Sequence, residues 1–485
     1  MKLKSLTFMK ESKMKRLMKV FGVAVLAGTL LVLPLPNSSA AAHWSANSRF
    51  TLARYHSNGS LDTAFGSNGQ VLTSFIIPTF PTDCLGTNSP GAEAYAMAIV
   101  PQNLPDAGKI VVAGRAHVGS GHQIALARYN TDGSPDRYFG RCGTGQVLTN
   151  FPTSLDEGAY AVAIDASGRI VVAGYAYVSI SEGDRYRFAL ARYDSEGRPD
   201  NSFGSSGQVI TTFPSSTDAS AEAIAIDASG RIVVAGSAWF EDNYRFALAR
   251  YRSNGSLDTA FDTDGKVLTT FPSSRDAGAN AIAITAGGKI VVAGYAMVDP
   301  DGKNRFALAR YHSNGSLDIT FDTDGKVLTT FPNSTDQVAE DLAIDANGRI
   351  VVAGLACVGG SCTQNGSRQF ALARYHGYGS LDKSFDGDGR ALTNFSGADE
   401  GASAIAIGAS GRIVAAGWAL VGGSNRQIAL ARYNSSNGSL DNYFGAGGKV
   451  LTNFPASKAE AAEALAIDAS GRIVVAGWAE PDLDN

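Results

Sequence analysis

The segment GRIVVAG (Gly471–Gly477) stands near the end of the chain, and RFTLARY (Arg49–Tyr55) stands near its start. Everywhere else the order is reversed. GRIVVAG or a close variant comes first, and FALARY or IALARY follows after a short loop, six times in all. The last copy of the first phrase has no second phrase behind it, and the first copy of the second has no first phrase ahead of it. A repeat cut in this way predicts that the two chain ends complete one structural unit.

The period sets the architecture. LARY ends at Tyr55, Tyr129, Tyr193, Tyr251, Tyr311, Tyr375 and Tyr433, a spacing of about 60 residues, and the IVVAG series runs in step with it. Each unit reads as four short strands. Strand A is typified by AEAIAI (Ala221–Ile226), strand B by IVVAG after a DASGR turn, strand C by RFALARY and strand D by KVLTTF. Strand B is a continuous apolar run, which requires cover on both faces. Strand A alternates Ala with bulkier residues, and its small face suits a crowded centre. Seven four-stranded units, each needing a neighbour on both sides, predict an all-β fold, a seven-bladed β-propeller with A innermost and D outermost. The ring closes by pairing of the N- and C-terminal half-blades.

Composition agrees. Of 485 residues, 44% are hydrophobic and 55 are Gly, a balance that favours strands and tight turns. Residues 1–42 read as a secretory signal peptide, with a basic start, the apolar run VFGVAVLAGTLLVLPLP and small residues at Ser38–Ala42. Residues 43–485 form the single propeller domain. The chain has formal net charge −4, of which the signal carries +6, so the remainder is −10. An acidic surface without a basic run argues against nucleic acid as partner. No membrane span is expected in the mature chain, which is read as a monomer, secreted to the periplasm or beyond the cell. Four cysteines in a secreted chain permit disulfides. Cys357 and Cys362 share one short loop and are expected to pair. Cys84 and Cys142 fall on opposite faces of the disc, so a bond between them is not expected unless a loop folds over the rim.

The run FALARY, then DGS, FG and a V-T-F segment, then GRIVVAG resembles the delta-60 repeat, a bacterial β-propeller module. The resemblance covers residues 49–479 and implies the fold. It implies no catalytic or ligand residues. Asp262, Asp322 and Asp386 depart from it by replacing a Gly after the loop Phe.

Several residues recur in every unit. An Arg on strand C and an Asp about eight residues later, such as Arg250 with Asp258 and Arg310 with Asp318, read as structural ion pairs, because a catalytic site needs one asymmetric constellation. The loops DTDG and DGDG raise calcium, but no Glu closes them as an EF-hand requires, and Asp and Gly also simply make turns. No cofactor is expected beyond that possibility. No nucleophile motif, zinc spacing or phosphate loop occurs.

One ring is uneven. Four residues before the last Ile of strand A stand Tyr95, Tyr160, Glu222, Asn280, Glu340, Ser403 and Glu463. They are candidates for the mouth of the central channel. The B–C and D–A loops share one face of the disc and vary in length and chemistry. Aromatic residues such as Tyr175, Trp239 and Trp418 concentrate there. These residues make that face the expected contact surface of a binding or structural module at the cell exterior, with a protein or glycan as partner. The alternative is an enzyme of lyase or hydrolase type with its site at the channel mouth. The absence of a catalytic motif tips the balance away from it.

Overall fold

The computed structural model describes residues 47–78, 86–179, 183–359, 368–395, 399–423 and 425–482. The proposed signal segment and both Cys84 and Cys362 lie outside them. Among the described residues there is no helix. The chain forms seven four-stranded antiparallel blades, exemplified by Ala219–Ile226, Ile232–Phe240, Asn243–Tyr251 and Lys266–Thr269 in the order A, B, C, D.

Blade 1 is made from both ends. Ser457–Ile467 and Ile473–Pro481 supply its A and B strands, and Arg49–Tyr55 and Gln70–Thr73 supply C and D. Strands B and C pair from Arg49 opposite Ala479 to Tyr55 opposite Ile473. Blades 2 to 7 follow in sequence over residues 92–149, 154–211, 219–269, 274–329, 334–393 and 400–452.

Apolar clusters lie between blades. One joins Phe50 and Val474 of blade 1 to Val112 of blade 2. The series continues round the disc to one joining Val414 of blade 7 to Val475 of blade 1. That last cluster closes the ring, and a parallel bridge between Arg426 and Ala459 links the same two blades. The strands B have no solvent face, as their unbroken apolar run requires: Val233, Val234 and Ala235 are all buried.

The final Gly of IVVAG has a steric cause. A Cβ on Gly236 would stand 2.0 Å from the carbonyl oxygen of Ser220 on strand A. That close approach marks a β-bulge, at which Glu222 is skipped between Ala221 and Ala223. The same bulge recurs in every blade, and in each it skips the ring residue named above, from Tyr95 to Glu463. A bulge re-aims the extra residue's side chain. The Gly therefore sets the ring.

Two further sets of contacts clamp neighbouring blades. Arg250 Nε donates to Asp258 at 2.9 Å, its guanidinium lies 4.7 Å from the Phe261 ring centre, and its Nη1 donates to the Ser313 carbonyl of the next blade. The same Arg–Asp pair forms in all seven blades at 2.7–2.9 Å, with Arg310 and Asp318 at 2.8 Å. In blade 7, Arg432 reaches Ser57 across the chain ends. The LARY tyrosines do the same from the other side. Tyr251 donates to Thr211 of the preceding blade at 2.8 Å, and Tyr55 donates to Thr452 across the ends at 2.8 Å.

The insertion after blade 1 corrects one expectation. Cys142 is disulfide-bonded, as is Cys357, and no described cysteine is free. The placement of Cys84 and Cys142 on opposite faces assumed that a D–A loop stays on its own face. Instead the insertion leaves along the outer edge of blade 2. Gln146 Nε2 donates to Ser74 O at 2.9 Å, and the Ile76 amide donates to Gln146 Oε1 at 3.0 Å. Beyond that point Ile76–Pro78 pairs with Gly86–Asn88 as a separate hairpin.

Candidate functional site

Strand alternation puts the A–B and C–D loops on one face and the B–C and D–A loops on the other. The first face carries the uniform Arg–Asp–Phe clamps. Chemical asymmetry is found on the second face and in the bulge ring.

The ring residues differ in what they touch. Tyr95 is buried and donates to Glu93. Asn280 is buried and donates to the Ala339 carbonyl of the next blade at 2.7 Å. Glu222 accepts from Ser220 at 3.1 Å, and Glu463 accepts the indole N–H of Trp478 at 3.1 Å. Tyr160, Glu222, Glu340, Ser403 and Glu463 are half-buried.

Beside Glu340, the position held by Ala in the other six blades holds Asp341. Its carboxylate accepts the Leu342 amide at 2.8 Å and the Ile405 amide of the next blade at 2.8 Å. The sequence signal was there, as a departure from the repeat in the column that follows Tyr95, Tyr160, Glu222, Asn280, Glu340, Ser403 and Glu463.

A second constellation joins blades 2 and 3. Arg115, on strand B of blade 2, pairs with Glu93 at 2.9 Å and lies 5.6 Å from the Tyr95 ring centre. The Tyr95 and Tyr160 rings are 5.2 Å apart, and Tyr160 and Tyr175 are 5.3 Å apart. Tyr175 donates to Asp156 at 3.3 Å, and Asp156 also accepts from the His122 amide at 2.7 Å. The structure thus brings Tyr95, Tyr160 and Tyr175 together. Sequence reasoning missed Arg115 and Glu93, whose neighbours along the chain look like ordinary strand. Burial holds the Tyr95 and Tyr175 hydroxyls well above the usual phenol range.

The expected aromatic contact surface needs correction. Tyr175 and Trp418 are 1% and 9% exposed, packed inside the face rather than displayed on it. Trp239 is half-buried against Tyr244, with ring centres 4.9 Å apart. The most exposed aromatics, Tyr138, Tyr378 and Tyr443, lie on C–D loops of the opposite face. A B-strand aromatic folds down over the Gly of its own strand A, as Tyr175 does over Gly158, and so loses its exposure.

Seven segments of the chain, at residues 42–65, 108–139, 166–203, 228–261, 288–321, 346–385 and 408–444, match the family described as "Domain of unknown function (DUF5122) beta-propeller". The chain is a β-propeller of an uncharacterised family type. No curated protein matches the sequence. Among solved structures, the propeller is similar to polysaccharide lyase Uly1, at 10% identity and TM-score 0.44, covering 88% of this chain and 98% of that one. It is also similar to Sqt1 from Chaetomium thermophilum bound to the N-terminus of ribosomal protein L10, at 11% identity and TM-score 0.42, covering 84% and 99%. A third is XC5397, a gluconolactonase from Xanthomonas campestris, at 11% identity and TM-score 0.34, covering 67% and 82%. These are weak likenesses of shape.

Among the described residues of the propeller, no group of three or more His, Cys, Asp or Glu side chains is placed to hold a metal ion. Asp262 and Asp322 adopt positive φ, and their amides bond the Asn314 and Tyr378 carbonyls of the next blade. No described helix is long and apolar enough to cross a membrane.

Two groups of the propeller's carboxyls are shifted in opposite directions. Burial pushes Glu157, Asp336, Asp341 and Glu460 up to about 7, against hydrogen bonds that favour the charged form. Their folded-state values lie above their unfolded ones, so the stability they confer is full below about pH 4 and is lost as pH rises through about 7. For Asp62, Asp136, Asp200, Asp258, Asp318 and Asp382 burial acts upward too, but the hydrogen bonds and cations around them win. Asp258, held by the Ala260 amide and Arg250, sits below the usual range. Their contribution is present above about pH 4 and is lost as pH falls below it. The melting temperature should therefore peak between about pH 4.5 and 6 and decline toward pH 8. Asp341→Asn should flatten that decline. A melting temperature that climbs steadily from about pH 5 to about pH 8 would contradict this.

Proposed function

We propose that this propeller, of the delta-60 type, is a secreted binding or structural module whose ligand, a protein or glycan, meets the B–C and D–A loop face. The observation that carries the reading is the confinement of asymmetric chemistry. One face repeats the same clamp in every blade, whereas the other holds unlike clusters such as Arg115–Glu93–Tyr95 and the uneven bulge ring. A rigid ring with varied loops is a scaffold for recognition. The signal-like residues 1–42 support a place outside the cytoplasm.

The test compares faces. Immobilised polysaccharides and candidate surface proteins are offered to the wild type and to two triple variants. Glu222, Glu340 and Glu463 replaced by Ala should weaken retention. Tyr138, Tyr378 and Tyr443 replaced by Ala should not. Loss in the second variant alone would move binding to the clamp face.

A second reading has its own observation. Asp341, with its carboxyl near neutral and Glu340 beside it, has the character of a general acid or base at the channel wall. Under the enzyme reading, Asp341→Asn abolishes turnover of a retained glycan while leaving its retention intact.

A further inference from the structure

The bulge frame exposes a column that breaks in two blades, at Gly91 in blade 2 and at Ala459 in blade 1. Four residues before the bulge stand Asp156, Asp218, Asp276, Asp336 and Asp399 in blades 3 to 7. Each reaches back to the start of strand C in the preceding blade. Asp218 accepts the Tyr186 amide at 2.9 Å, Asp276 the Tyr244 amide at 2.8 Å and Asp336 the Asn304 amide at 2.8 Å. Asp399 takes the Arg368 guanidinium through two hydrogen bonds. In blade 1 the same position is Ala459, and the residue facing it in blade 7 is Arg426.

The Arg426 guanidinium thereby has no carboxylate in contact, only Asp399 and Glu463 acting through space. It is half-buried and makes no side-chain hydrogen bond or ion pair among the described residues. Its guanidinium lies 4.2 Å from the Trp418 ring centre, and that of Arg368 lies 5.1 Å from the same centre. Two cations thus share one indole, and one carboxylate, Asp399, serves the pair. Glu463 is near enough to act on Arg426 through space but is engaged with Trp478. Burial and Arg368 together push the Arg426 pKa down. The strand-C cations Arg245 and Arg305 in blades 4 and 5 have Glu241 and Asp301 at 2.8 and 3.0 Å. A half-buried guanidinium with its planar fork unfilled is suited to a carboxylate from outside.

We propose that Arg426, with Arg368 and Trp418 behind it, is a subsite for the carboxylate of an acidic sugar chain, a hexuronate unit. The inference rests on the reading that this face binds ligands. A sugar is favoured over an acidic peptide by the surroundings. Among the described residues, none of the exposed large apolar side chains is in contact with Arg426 or Trp418, so a peptide would lack the anchor that protein contacts need. Half-buried Glu463 and Trp478, bonded to each other, offer a polar group and an aromatic edge to a hydroxylated ring.

The repeat itself supplies the decisive variant. Ala459→Asp restores the carboxylate that five other blades carry, which should fill the Arg426 fork from within. Binding is measured by calorimetry with oligogalacturonate, its carboxyl-reduced neutral counterpart and an oligoglutamate peptide. The wild type should bind oligogalacturonate and neither of the others. Both Ala459→Asp and Arg426→Gln should weaken that binding by about tenfold or more, roughly the worth of one charge-assisted pair. Ala459→Asp should keep or raise the melting temperature, so its loss of binding is not a loss of fold. Unchanged oligogalacturonate affinity in both variants overturns the subsite, as does binding of oligoglutamate in place of oligogalacturonate. Retention of neutral glycans, indifferent to Ala459→Asp, would overturn the subsite while leaving the binding face in place.

Discussion

Deleting residues 470–485 is expected to destroy the ring and yield an aggregating chain. The deletion removes Ile473–Pro481, the strand that stands between Ser457–Ile467 and Arg49–Tyr55 in blade 1. Without it the N-terminal half-blade has no sheet to join, and the edge of Ser457–Ile467 is bared. Ile473, Val474 and Val475 are 2%, 1% and 0% exposed. Their burial alone represents roughly 5–9 kcal/mol. A whole domain has a net stability of only about 5–15 kcal/mol. The loss also falls on both neighbours, because Val474 packs toward blade 2 and Val475 toward blade 7. An unpaired edge with apolar flanks then recruits other chains. Size-exclusion chromatography with light scattering should show large species, and the cooperative melt should vanish. A truncated chain that elutes as a compact single copy and melts like the full one would mean that the ring does not depend on its closing blade.

The two phrases that end the chain out of order foretold this blade, because strand-forming hydrophobic runs are local features and their count survives without coordinates. The Arg and Asp of the clamp were equally legible, since a pair repeated at fixed spacing in each unit has to be built into each unit. What the sequence concealed depends on register. That Gly236 sits at a bulge, and that the bulge turns Glu222 out of line, follows from the Ser220 carbonyl oxygen, which lies 2.0 Å from where a Cβ on Gly236 would stand. Burial of Tyr175 and Trp418 follows from a Gly across the sheet, at Gly158 and Gly401, where ring atoms come to 2.9 and 3.4 Å from the position a Cβ would take. Aromatic residues in a variable loop look like contact residues until that space is known. Asp341 and Ala459 are different again. Each breaks a column of the repeat that the sequence shows, but what the break leaves beside it depends on contacts with the next blade.

Replacing Arg250 with Met should cost about 3–5 kcal/mol, the range for stranding one member of a buried ion pair. The side chain is 2% exposed and serves three partners at once: the Asp258 carboxylate, the face of Phe261 and the Ser313 carbonyl of blade 5. Met fills much of the volume and keeps contact with Phe261, so the change isolates the charge and its hydrogen bonds. Asp258 is then left 6% exposed, with the Ala260 amide at 3.3 Å and the exposed Arg252 at 3.6 Å as its remaining partners. Neither replaces a guanidinium in contact, and the Ser313 carbonyl loses its donor from blade 4. Adding Asp258→Asn should recover a large part of the loss, because the unpaired charge, and not the missing attraction, is the greater cost. Urea unfolding measures both variants, with the midpoint shifting and the slope held constant. A shift worth less than about 1 kcal/mol for Arg250→Met would place the clamp among exposed pairs of small effect. It would also leave the inter-blade apolar clusters as what holds blade 4 to blade 5.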